Sequence, residues 1–152
     1  MYKIVIWATD GSDGADAALV EVRRLVDPNG RIVTAHCDQL MTGRVMEWSA
    51  LSDEDDRLVK LRREVAELRN DGFDVDLVVR RTCREPADVI AAIANELRAD
   101  IIVCGTRGRG AFSGAFLGSF THRLLRAAHC PVLAVPNVKM EERPNRKEVA
   151  HA

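Results

Sequence analysis

An α/β fold, built on an open five-stranded parallel sheet with helices on both faces, is predicted by three observations. Short β-branched runs and amphipathic segments alternate strictly along the chain, in the order βαβαβαβαβ. Each apolar run stops at a turn or helix-start signal rich in Gly, Asp or Pro. The composition, 47% apolar and 30% charged over 152 residues, is that of one soluble domain with a real core.

The first strand is Tyr2-Lys3-Ile4-Val5-Ile6-Trp7-Ala8, and it ends at the turn Asp10-Gly11-Ser12-Asp13-Gly14. Ala15, Ala18, Leu19, Val22, Leu25 and Val26 recur at helical spacing until Asp27-Pro28-Asn29-Gly30 stops them. Arg31 to His36 is the second strand. Residues 38–50 read as irregular, with Met41, Met46 and Trp48 among polar neighbours. Ser52-Asp53-Glu54-Asp55 resembles a capping box, which places a helix start there and its acids in the first turn. Leu58, Leu61, Val65 and Leu68 mark that helix's inner face up to Asp71-Gly72.

Phe73, Val75 and Leu77 alternate with Asp74 and Asp76, so the third strand has one wet face and is expected at an edge, ending near Arg80-Arg81. Pro86 suits a helix's first turn, and Val89, Ile90, Ile93, Ala94 and Leu97 form its stripe. Ile101 to Cys104 is the fourth strand. A last helix is expected over 118–128, with Leu124, Leu125 and Ala128 facing in, and a fifth strand over 131–136. The domain is placed at 1–138 and a charged, frayed tail at 139–152.

Charge and cysteine usage exclude several functions. The net charge of −1 leaves no basic footprint for a phosphate backbone, so no nucleic-acid partner is expected. No apolar run is long enough for a bilayer span, and the first ten residues end in an acid where a signal peptide would stay apolar. A soluble, cytoplasmic protein is expected. Cys37, Cys83, Cys104 and Cys130 form no C-x-x-C pair, and the histidines are scattered, so neither a zinc site nor a disulfide framework is expected. His36 reads as a sheet-end histidine satisfied by its surroundings rather than a catalyst.

In such a sheet ligands bind beyond the carboxyl ends of the strands, where strand order reverses. The informative segment follows the fourth strand: G-T-R-G-R-G-A-F-S-G-A-F-L, then Gly118-Ser119. Its glycines permit close approach to the backbone. The helix that follows offers amides without internal partners and a positive end. Hydroxyls of Ser119 and Thr121 and the charges of Arg107 and Arg109 add to a cradle for a di- or triphosphate. G-x-x-x-x-G-K-[ST] is absent, and G-x-G-x-x-G fails because Ser113 stands where its last glycine belongs.

The spacing present is Gly105-x2-Gly108-x9-Gly118-Ser119. It resembles the nucleotide-binding motif G-x2-G-x9-G-[S/T] of the universal stress protein family, complete at every position. I-V-I-W-A-T-D-G-S is similar to that family's first strand and acidic turn, and H-C-P-V-L-A-V-P to its last strand. The resemblance implies strand order 3-2-1-4-5 (adenine nucleotide alpha hydrolase-like), ATP as ligand with Mg²⁺ held through its phosphates, and a homodimer through Val132, Leu133, Ala134 and Val135. It also implies that Ala8, Thr9 and Asp10 line the adenine and that the Cys37 backbone meets it. Gly105, Thr106, Arg107 and Gly108 would touch ribose and phosphates. Gly118, Ser119, Phe120 and Thr121 would hold the outer phosphates. Trp7 and Cys37 depart from the aliphatic residues usual at their positions.

No group near the cradle reads as a catalytic base and no carboxylate pair is offered to Mg²⁺, so at most slow ATP hydrolysis is expected, in a nucleotide-dependent stress-response sensor or regulator. Two other readings stay open: a same-fold interaction module with an empty pocket, and an AMP or cyclic AMP binder. A phospho-acceptor receiver domain is disfavoured, because the third strand ends in arginines and the fourth leads to Gly105-Thr106-Arg107 without a lysine.

Overall fold

The structure is a computed structural model; it describes residues 1–40, 48–106 and 117–137, and for 48–53 the backbone alone. Five parallel strands, β1 (Tyr2–Ala8), β2 (Val26–Gln39), β3 (Asp74–Thr82), β4 (Ile101–Gly105) and β5 (Val132–Val135), form one sheet in the order β3-β2-β1-β4-β5. Four helices connect them: α1 (Asp13–Leu25), α2 (Trp48–Asn70), α3 (Pro86–Glu96) and α4 (Ser119–Ala127). The predicted fold class and element order are those observed, and β3 is an edge strand.

Strand alternation divides the core into two layers. Ile6, Ala8, Val33, Ala35, Ile102 and Cys104 face α3 and α4, together with Val89, Ile90, Ile93 and Leu124. Val5, Trp7, Ile32, Ile101 and Val103 face the other way, against Ala18 and Val22 of α1 and Val65 and Leu68 of α2. Because helices cover both faces, the buried stretches 5–8, 32–35 and 101–104 are apolar on both faces apart from Thr34, as parallel sheets favour. Trp7 is wholly buried, and its indole N–H donates to the Ala15 carbonyl at 3.0 Å, which ties α1's first turn to the sheet.

Several boundaries differ from the sequence expectation, among them the end of β2, which runs to Gln39 rather than His36. Asp27-Pro28-Asn29-Gly30 lies within the bounds of β2 instead of separating it from α1. Between the pairs Tyr2–Val26 and Ile4–Arg31 the register slips, so the turn-forming residues are absorbed as an irregularity in the strand pair. Asp27 accepts the Asn29 amide at 2.9 Å, and a Cβ at Gly30 would stand 2.9 Å from the Lys3 and Tyr2 carbonyl oxygens, so only glycine fits there.

The helix start expected at Ser52 is also corrected. Helix α2 begins at Trp48, so Ser52–Asp55 lie inside it and form no N-terminal box. Strand β3 runs on to Thr82, its last two residues pairing with Asp38 and Gln39. Pro86 does occupy the first turn of α3. Met41, Met46 and the tail 139–152 lie outside the described residues.

Candidate functional site

Strand order reverses between β1 and β4, and the register fixes what meets there. Ala8 pairs with Ala35 on one side and Cys104 on the other. The chain leaving β1 therefore carries Thr9 and Asp10 past the tips of β2 and β4. Cys37 stands near the end of β2, and Gly105 and Thr106 follow Cys104. Ala8, Thr9, Asp10, Cys37, Gly105 and Thr106 thus share one edge of the sheet. Gly118, Ser119, Phe120 and Thr121 join it at the start of α4, because the Gly118 amide donates to the Thr106 carbonyl at 2.9 Å. Arg107 and Gly108 lie outside the described residues.

The β1–α1 turn is tightly specified. The Thr9 amide donates to the Ala35 carbonyl at 3.0 Å, continuing the ladder one residue beyond β1. The Gly11 amide donates to the Thr9 hydroxyl at 3.1 Å. Asp10 accepts both the amide of Ser12, at 3.0 Å, and its hydroxyl, at 2.5 Å. These Asx- and Ser/Thr-type bonds leave Gly11 at φ +73°, a conformation that favours glycine. Asp10 thus shapes its own turn as well as standing at the sheet edge.

At the other side of the reversal, α4 opens with Gly118 in an extended conformation and without a side-chain cap. The first helical bond runs from the His122 amide to the Gly118 carbonyl. The amides of Ser119, Phe120 and Thr121 therefore have no acceptor within the helix, and they point with its positive end toward the sheet edge. Ser119 is exposed and Phe120 half-buried. Thr121 is buried, and its hydroxyl donates to the Gly105 carbonyl at 3.0 Å. Its side chain thus joins α4 to β4, which leaves the amide as its contribution to the edge. The donor set, backbone amides at a helix start plus an exposed hydroxyl, suits a phosphate.

The thiols near the site are in their neutral forms. Burial pushes Cys104 up to about 11, against a small opposing effect of the Thr121 hydroxyl. Burial, then the charges of Asp38 and Glu54, raise Cys37. Neither thiol has the electropositive surroundings that make a reactive thiolate. Among the described residues, no group of three or more His, Cys, Asp or Glu side chains could hold a metal ion.

Helix α2 supplies residues that sequence reasoning missed. Its Glu54, expected in a helix's first turn, is buried and meets His36 Nε2 at 2.6 Å. The other Glu54 oxygen pairs with Arg57. His36 Nδ1 lies 2.9 Å from the Thr9 carbonyl, so the histidine is satisfied at both nitrogens, as its position at the sheet end suggested. Lys60 donates to the Gly11 carbonyl at 3.0 Å and to Asp16 at 2.7 Å.

Burial works against the charge on Lys60, yet the bond to Asp16 and the nearby acids raise it overall. Glu64 is raised by burial and by Asp16, and one oxygen of each of these two acids is buried without a partner. The only sequence signals among these contacts were the i, i+3 spacing of Glu54 and Arg57 and the i, i+4 spacing of Lys60 and Glu64. Nothing in them points to the β1–α1 turn.

Comparison with known proteins places this geometry in context. A profile described as the universal stress protein family matches residues 1–136. A Thermus aquaticus protein described as universal stress protein in QAH/OAS sulfhydrylase 3'region is 32% identical over 139 residues, covering 89% of this chain and 99% of that one. The solved structure of hypothetical protein MJ0577 is 26% identical with a TM-score of 0.77, covering 92% of this chain and 99% of the other. A universal stress protein from Archaeoglobus fulgidus, solved in complex with dAMP, is 25% identical with a TM-score of 0.58, covering 89% and 98%. With its sheet order, its reversal-point edge and a family match over nearly the whole described chain, this protein belongs to the universal stress protein family.

Proposed function

We propose that the chain binds an adenine nucleotide, ATP in the first instance, at the edge between β1 and β4, and acts as a nucleotide-dependent regulator in stress responses. The observation that carries this reading is the coincidence of two things. The spacing Gly105-x2-Gly108-x9-Gly118-Ser119 is complete in the sequence, and its two described ends meet at the strand-order reversal. Thr9, Asp10 and the Cys37 backbone would seat the base. Gly105, Thr106, Arg107 and Gly108 would follow ribose and phosphates, and the amides at the start of α4 with the Ser119 hydroxyl would take the outer phosphates. Mg²⁺ would be held through those phosphates and water.

The chain's residues bind and orient in this reading. Asp10 is at the base end, and at most slow hydrolysis is expected. A second reading, a nucleoside monophosphate or its cyclic form, is favoured by the dAMP complex of the Archaeoglobus fulgidus relative. Pairing of two copies through β5 belongs to the same proposal, since Val132, Leu133, Ala134 and Val135 form an edge strand whose outer side can accept another strand.

The deciding experiment is to purify the protein without added nucleotide, denature it and identify what is released by mass spectrometry, then titrate ATP, AMP and cyclic AMP. Near-stoichiometric ATP, or tightest uptake of ATP, is expected. Preference for AMP or cyclic AMP moves the reading to the second ligand. An empty protein that takes up none of the three overturns nucleotide binding and leaves an interaction module.

A further inference from the structure

We propose that His36 and Glu54 hold a proton between them as a buried imidazolium–carboxylate pair, and that they are positioning residues for the Thr9–Gly11 turn beside the nucleotide's base. The first half rests on hydrogen-bond chemistry alone. The Thr9 carbonyl can only accept, so at 2.9 Å the His36 Nδ1 must carry a hydrogen. The 2.6 Å contact between Nε2 and Glu54 Oε1 also needs a hydrogen, because a bare ring nitrogen and a carboxylate oxygen would repel. That hydrogen belongs on the ring, since the other Glu54 oxygen accepts from the Arg57 guanidinium, which favours the ionised carboxylate. His36 is 1% exposed, so its charge is compensated within the protein. Among the described residues, Cys37 on β2 and Arg81 on β3, the latter paired with Asp38, also interact with the Glu54 charge.

The positioning half comes from where the bonds end. Helix α2 holds the turn at three successive points. Glu54 fixes the ring that bonds the Thr9 carbonyl. The Arg57 stem lies against Gly11, 3.4 Å from where a Cβ would stand, and Lys60 bonds the Gly11 carbonyl. Asp10 lies between the two bonded carbonyls. Its place at the sheet edge is therefore set by a helix that begins some forty residues later in the chain. The ligand consequence rests on the proposed adenine site; the proton and the turn do not.

The test uses the full chain, labelled with ¹⁵N, at pH 7.5. In the wild type, long-range proton–nitrogen correlation is expected to show both His36 nitrogens protonated. In Glu54→Gln the amide can donate to Nε2 and its carbonyl can accept from Arg57, so the bonds survive without the extra proton. The ring is then expected to become the neutral Nδ1–H form. In Glu54→Ala, which removes the anchor of the His36 ring, exchange of the Gly11 and Ser12 amides should accelerate about tenfold, and the ATP dissociation constant should rise by about the same factor. A neutral His36 ring in the wild type overturns the pair. Unchanged exchange at Gly11 and Ser12 in folded Glu54→Ala overturns the positioning role. A wild type that binds no nucleotide defeats the proposed function, while the ring and exchange readouts still decide this inference.

Discussion

The two loops that meet at the carboxyl edge of β1 and β4 are held in different ways. The β1–α1 turn is gripped from outside itself: His36 of β2, anchored by Glu54, bonds the Thr9 carbonyl, Lys60 of α2 bonds the Gly11 carbonyl, and the Arg57 stem lies against Gly11. The described ends of the β4–α4 connection are held by local contacts, the Gly118 amide on the Thr106 carbonyl and the Thr121 hydroxyl on the Gly105 carbonyl. One side depends on long-range packing against α2 and β2, and the other on one backbone and one side-chain bond between neighbouring elements. The first arrangement ties the geometry of the turn to the stability of the whole α1/α2 face. The second leaves the helix-start amides available whatever that face does.

This difference can be tested at three depths. Trp7 underlies the first loop, filling the α1 side of the sheet and bonding the Ala15 carbonyl. Trp7→Ala leaves a large cavity and is expected to cost about 4 kcal/mol in urea unfolding. A loss below about 1 kcal/mol would mean that the turn stands without the packing beneath it.

A smaller effect is expected from the thiol at the base of the second loop. Cys104 is pushed up to about 11 in the fold, against 9.0 for an unperturbed thiol. Between those values the unfolded chain has lost the thiol proton and the folded chain has kept it. Stability is therefore complete below pH 9 and falls as pH rises toward 11, by about 3 kcal/mol in all. Comparing the wild type with Cys104→Ala, from pH 8 to pH 11, isolates this component, and the variant should show the shallower decline. Equal slopes would mean that the thiol ionises as readily folded as unfolded.

The smallest effect is expected at Thr121. Thr121→Val keeps the shape and removes one buried hydrogen bond, for about 1 kcal/mol. Since the hydroxyl is directed at Gly105 and only the amide is left for a ligand, ATP affinity should stay within about twofold. A tenfold loss of affinity without loss of stability would place the hydroxyl on the phosphates and undo the contrast between the two loops.

The strands, three of the helix starts and both sheet faces were legible because they follow from periodicity. Apolar runs of β-branched residues, stripes at spacings of three and four, and Pro or Gly at the ends are all local signals. The motif at Gly105, Gly108, Gly118 and Ser119 was legible for the same reason, being a matter of spacing and of which residues permit close backbone approach. The start of α2 was misread because Ser52-Asp53-Glu54-Asp55 has the composition of a cap. A local pattern cannot reveal that one of its acids is needed eighteen residues back, on the end of β2.

The sequence by itself determined the α/β class, the alternation that yields a parallel sheet, and the glycine spacing with its helix-start amides, since each is written in residues close together in the chain. The tertiary structure alone decided how the Thr9–Gly11 turn is held, which oxygen takes the Thr121 hydroxyl, and that His36 and Glu54 form a buried pair joined to Arg57. Those outcomes depend on which groups lose water together when α2 closes over β2 and β3. Desolvation strengthens a bond between partners brought together and penalises a polar group left alone. The chain therefore pairs them in space at separations that no local pattern encodes.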